Sequence, residues 1–111
     1  MAVLHFKGDV LTVKATHNVL SEVSKLNNVN YVDVLKLPQK DPVGWLRDVL
    51  YCSLIIYSPD KLNGMSRWDV GDELFALDTE VVKKFSIDIM EDFMITMGVK
   101  TDEDKVASEK K

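Results

Sequence analysis

Residues 3–14 read VLHFKGDVLTVK, and the folding of this stretch decides the class of the domain. Leu4 and Phe6 alternate with Val3, His5 and Lys7, and after Gly8-Asp9 the chain resumes with the β-branched-rich run Val10 to Lys14. Alternation at period two is the pattern of a half-buried strand, and a glycine between two such runs takes the positive φ that a tight turn requires. The spacing therefore predicts a β-hairpin from about Val3 to Lys14, with the turn at Gly8-Asp9. Near Thr16 the period changes from 2 to 3.6. Thr16 suits the N-cap of HNVLSEVSKL, in which Val19, Leu20, Val23 and Leu26 fall on one helical face. The fold class expected is α+β: an N-terminal β-hairpin packed on a mainly helical bundle of about four helices.

Outward from the first helix, NNVN supplies a stop, since asparagine tolerates the left-handed conformation found at helix ends. The following YVDVLKL is compatible with a strand by its β-branched content and with a short helix by its spacing. Asp41-Pro42 then opens a helix as cap and first helical residue. Trp45, Leu46, Val49, Leu50, Leu54, Ile55, Ile56 and Tyr57 surround the axis of that helix, which predicts a central, buried element with Leu46, Leu50 and Leu54 in the core. Ser58-Pro59-Asp60 ends it, and KLNG reads as a loop. Ser66 with Asp69 three residues on resembles a capping box, opening a helix whose apolar positions are Trp68, Val70, Leu74, Phe75 and Leu77. The last helix is expected from about Glu80 to Met97, with Gly98 as its stop. Residues 1–98 thus read as one globular domain and residues 99–111, VKTDEDKVASEKK, as a charged, disordered tail.

A chain of 111 residues with 46% hydrophobic and 29% charged residues has the composition of a single soluble domain. Its net charge of −4 lacks the basic footprint of a nucleic-acid-binding domain. The longest apolar run, Val49 to Tyr57, is far short of the roughly 20 residues of a membrane span. Residues 1–14 alternate like a strand rather than forming a signal peptide, and the lone Cys52 cannot make an internal disulfide. A soluble, intracellular protein is expected. Catalytic and cofactor chemistry finds little support: His5 and His17 have no nucleophile at a recognisable spacing, Cys52 falls within the apolar helix, and the His and Cys content is too small for a zinc site. The carboxylates Asp69, Asp72, Glu73, Asp88 and Asp92 read most simply as a solvated helix face. Neither enzymatic activity nor a cofactor is expected.

Protein binding is the class that remains. In FSIDIMEDFMITMG (residues 85–98), Phe85, Ile87, Ile89, Met90, Phe93, Met94 and Met97 spread over roughly 200° of helix surface, about twice the arc a core-facing stripe needs. Methionine fills core gaps and also suits adaptable binding surfaces. Core packing is the simpler role for these side chains, but the width of the arc argues for an excess. Met90, Phe93, Met94 and Met97 are therefore the expected partner contacts, with Trp68 and Phe75 on the preceding helix next in line.

The order of elements resembles that of tail assembly chaperones from siphovirus-type phages. LHFKGDVLTVKATHNVLSEVSKL resembles their opening, a short F-x-G hairpin with a lysine-bearing second strand followed by an amphipathic helix. An apolar helix (WLRDVLYCSLII), a break, a capped helix (MSRWDVGDELFAL) and a last helix with a charged end follow in the same order. The resemblance implies a small non-catalytic protein of the host cytoplasm that holds the tape measure protein and engages the major tail (tube) protein before the tube polymerises. It also implies self-association and absence from the mature virion. Two other readings accompany it: a small structural connector or tail-completion protein that stays in the virion, and a host-directed inhibitor that binds one enzyme.

Overall fold

The computed structural model describes residues 2–98, and the expectation for 99–111 lies outside the described residues. Strands β1 (Ala2–Phe6) and β2 (Asp9–Val13) form an antiparallel hairpin in which Leu4 pairs with Leu11 and Phe6 with Asp9. The turn sits one residue earlier than expected. Lys7 (φ 50°) and Gly8 (φ 82°) both adopt positive φ, which is the two-residue turn whose twist matches that of the flanking strands. One face of the ribbon, with Ala2, Leu4, Phe6, Leu11 and Val13, is buried. The other carries Val3, His5, Val10 and Thr12 in solvent.

Helices α1 (His17–Leu26), α2 (Leu37–Lys40), α3 (Pro42–Tyr57), α4 (Pro59–Leu62), α5 (Arg67–Phe75) and α6 (Thr79–Thr96) follow, with a 3₁₀ helix at Tyr31–Lys36. The hairpin therefore packs on four long helices and two single-turn ones. The segment compatible with strand or helix is helical: Asn28 takes the left-handed conformation (φ 54°), and Val34 and Leu37 turn inward. Pro59–Leu62 forms a helical turn where a loop was expected, and the loop proper is Asn63-Gly64, both at positive φ.

Capping follows local chemistry. The side chains of Thr16, Asp41 and Asp78 accept the backbone N–H groups of Val19, Gly44 and Glu80 respectively. Ser66 and Asp69 form the reciprocal capping box at the start of α5. Helix α3 is the central element, in contact with α1, α2, α4, α5 and β2. Leu46, Leu50 and Leu54 lie in the core as expected, but α3 is not apolar-buried all round: Val43, Ile55 and Tyr57 are exposed. Helix α6 packs on β1 and α5. Its Phe93 ring meets Trp45 of α3 edge to face at 4.7 Å, and the Asp92 carboxylate accepts the Ala15 backbone N–H at 2.7 Å. Asp92 is thus a clamp between α6 and the hairpin–α1 junction rather than part of a solvated face.

Candidate protein-interaction surface

Asp48, one helical turn before Cys52 on α3, is 1% exposed. A buried carboxylate is stable only if it is paired and hydrogen-bonded. Its Oδ1 accepts Arg47 Nε at 2.9 Å and Arg67 Nε at 3.2 Å, and its Oδ2 accepts Arg67 Nη2 at 3.2 Å and Asn27 Nδ2 at 3.0 Å. Arg67 also donates through Nη1 to the Leu26 carbonyl at 3.4 Å. One carboxylate therefore ties together α1, α3 and α5. Gly71 makes the geometry possible: a Cβ at that position would stand 2.9 Å from Arg47 Cδ, so only glycine lets the arginine stem cross α5.

Both guanidinium groups lie against the indole of Trp68, at 4.6 Å for Arg47 and 4.7 Å for Arg67 from the ring centroid. These are cation–π distances. They fix the orientation of a side chain that is nonetheless 60% exposed. Beside it, Val43, Phe75 and Ala76 line an open groove between the start of α3 and α5, with Asp72 on its edge. Phe75 is 39% exposed and Val43 is exposed as well. The result is an apolar groove with a rigid aromatic anchor at one side, the kind of residue that dominates protein interfaces.

The last helix is arranged otherwise. Phe93 is 2% exposed and belongs to the core, which corrects its place among the expected contacts. Its position four residues after Ile89 and eight after Phe85 puts it on the stripe that α6 buries. Met90, Met94 and Met97 are half-buried against the core, and Tyr31 donates its hydroxyl to Met97 Sδ at 3.6 Å. Met90 and Met94 do border a shallow groove with Ser86, Ile87 and Glu91. The side chain most exposed there is Ile87, at 57%, which was counted in the arc but not among the expected contacts. Arg47, Arg67 and Val43 were likewise missed. An Asp at position 48 inside an apolar run, flanked by one arginine in sequence and followed by another at Arg67, is the only sequence signal that could have raised them.

The titratable residues considered for catalysis lie apart. His5 is exposed on the outer face of the hairpin, and His17 Nδ1 hydrogen-bonds the Tyr31 hydroxyl. Cys52 is buried, and burial, followed by the nearby Asp48 and Glu22 charges, pushes its thiol up to about 12. At neutral pH it is a small apolar filler rather than a thiolate. Among the described residues, no group of three or more His, Cys, Asp or Glu side chains is placed to hold a metal ion, and no helix is long and apolar enough to cross a membrane. Comparison with protein families, curated proteins and solved structures gives no match to this chain.

Proposed function

We propose that this chain is a non-catalytic assembly chaperone of a siphovirus-type phage tail. It acts in the host cytoplasm, holds apolar segments of the tape measure protein, and engages tail tube subunits until the tube polymerises. The observation that carries the reading is the α3–α5 groove, in which Trp68 stands exposed yet is held in place by two arginines anchored on buried Asp48. Exposed apolar surface on an otherwise well-packed domain has a partner as its usual explanation. A groove flanked by an aromatic anchor suits the apolar face of an amphipathic helix, the form a long helical tape presents before it is covered. The resemblance in element order supports the same reading, and the half-buried methionines of α6 offer a second, more adaptable contact.

Co-expression with the tape measure protein tests it. The expected result is a soluble complex, weakened about tenfold or more by Trp68→Ala combined with Phe75→Ala, the usual scale for interface anchors. Ile87→Lys reports separately on the α6 groove. The chain should be missing from purified virions by mass spectrometry. Its presence there makes it a structural connector, and capture of a single host enzyme instead of tail proteins makes it a host-directed inhibitor.

A further inference from the structure

The outer side of α6 carries a short seam of its own. Ile87, Met90 and Met94 follow one another at intervals of three and then four residues, the spacing that keeps apolar side chains on one line of a helix. This line lies opposite the buried Phe85 and Ile89. Ile87 is 57% exposed, and Met90 and Met94 are half-buried in the wall of a shallow groove. Charge is divided along the same face: Lys83 and Lys84 precede Ile87, whereas Asp88 and Glu91 follow it. Lys83 is exposed and makes no ion pair among the described residues. Lys84 reaches Asp88 of its own helix at 2.9 Å, but with the lysine 78% exposed that pair is solvent-screened and worth little.

We propose that this face of α6 pairs antiparallel with the same face of a second copy of the chain, across a twofold axis level with Asp88 and Ile89. In that register Ile87 of each helix lies against Met90 of the other copy, and the Lys83 stem crosses the other copy's Met94. Lys84 and Glu91 flank the seam on the same side, so each Lys84 comes beside the other copy's Glu91, once at each end. The pattern itself selects the occupant. Lysines before the centre and carboxylates after it are complementary to their own reversed copy, which is what a twofold contact requires. A parallel pair would instead set Glu80 on Glu80 and Lys83 on Lys83. The net charge of −4 opposes association, but at physiological salt it acts weakly beyond about 8 Å, whereas the flanking pairs meet at contact. The seam is short, so the pair is reversible and depends on concentration. It takes up the α6 groove, leaves the α3–α5 groove of each copy open, and does not depend on the chain being a tail chaperone.

Sedimentation velocity of the full chain alone, over a concentration series reaching the millimolar range, tests it. The expected result is a reversible monomer–dimer equilibrium. Lys83→Glu with Lys84→Glu, and separately Glu91→Lys, should each weaken the dimer about tenfold or more with the melting temperature nearly unchanged. Glu91→Lys makes the chain less acidic, so its weakening cannot come from overall repulsion. An equimolar mixture of the two variants should recover the dimer, because both flanking pairs are again of opposite sign. Met94→Cys in a Cys52→Ser background should form no intermolecular disulfide, since an antiparallel pair holds those two positions about 16 Å apart along the axis. If a reversal variant fails to fold, Ile87→Cys mixed with Met90→Cys in the same background carries the test: a disulfide between the two variants supports the register, and its absence overturns it. A chain monomeric throughout, a dimer indifferent to either reversal, a mixture without recovery, or a ready disulfide at Met94→Cys would overturn the proposal. A monomeric chain that binds the tape measure protein through Ile87 would assign the face to the tape and overturn it too.

Discussion

On α6, Phe85, Ile89 and Phe93 recur at every fourth position and all three are buried, whereas on α5 the aromatic residues Trp68 and Phe75 both remain exposed. Each helix has apolar residues on more than one side of its axis. The difference lies in their neighbours. Helix α6 lies across β1 and also meets α5 and Trp45 of α3, so its wide arc is mostly consumed by the domain itself. Helix α5 buries Val70, Gly71 and Leu74, packing on α3 and meeting α6, and neither neighbour covers Trp68 or Phe75. An apolar arc therefore measures how much surface a helix could bury, and the number of elements around it decides how much is left over.

That contrast can be broken most forcefully at Phe93. Phe93→Ala should cost about 3–5 kcal/mol in chemical denaturation, the range for truncating a buried aromatic residue. A loss below about 1 kcal/mol would mean that α6 is not seated on the core and that its arc is free for a partner after all.

Trp68→Ala should be much milder despite removing a larger side chain. Its two guanidinium contacts are each worth about 0.5–1 kcal/mol at an exposed site, and Asp48 keeps both arginines paired. A loss of about 1–2 kcal/mol with unchanged cooperativity is expected. A loss as large as that of Phe93→Ala would show that the indole is structural and would remove the main support for an interaction groove.

The smallest effect is an acid transition confined to the start of α5. The backbone N–H of Ser66, and then its side chain, hold the Asp69 carboxyl below its ordinary value of 3.8. A depressed carboxylate contributes stability that is present above that ordinary value and is lost as pH falls through the lower folded value. The indole N–H of Trp68, one residue before Asp69, should therefore shift in NMR spectra below about pH 4, while that of Trp45 in the core stays fixed. Asp69→Asn should abolish this local transition. If it persists in that variant, another carboxylate controls the groove.

What the sequence determined by itself was local. The change of period at Thr16, the cap at Asp41, the capping box of Ser66 and Asp69, and Leu46, Leu50 and Leu54 in the core all follow from spacing or from hydrogen bonds within one turn, and such signals survive without knowledge of the rest of the chain. Tertiary structure decided what depends on distant partners. Asp92 became a clamp because Ala15 lies 77 residues away along the chain but 2.7 Å from its carboxylate. Trp68 acquired a fixed orientation because Arg47, from another helix, crosses over Gly71 to meet it. Phe93 left the candidate surface because Trp45 occupies the space in front of it. A single helix carries the amount of apolar surface in its own residues, but the side left open is set by elements packed from elsewhere in the chain, and that information is not local.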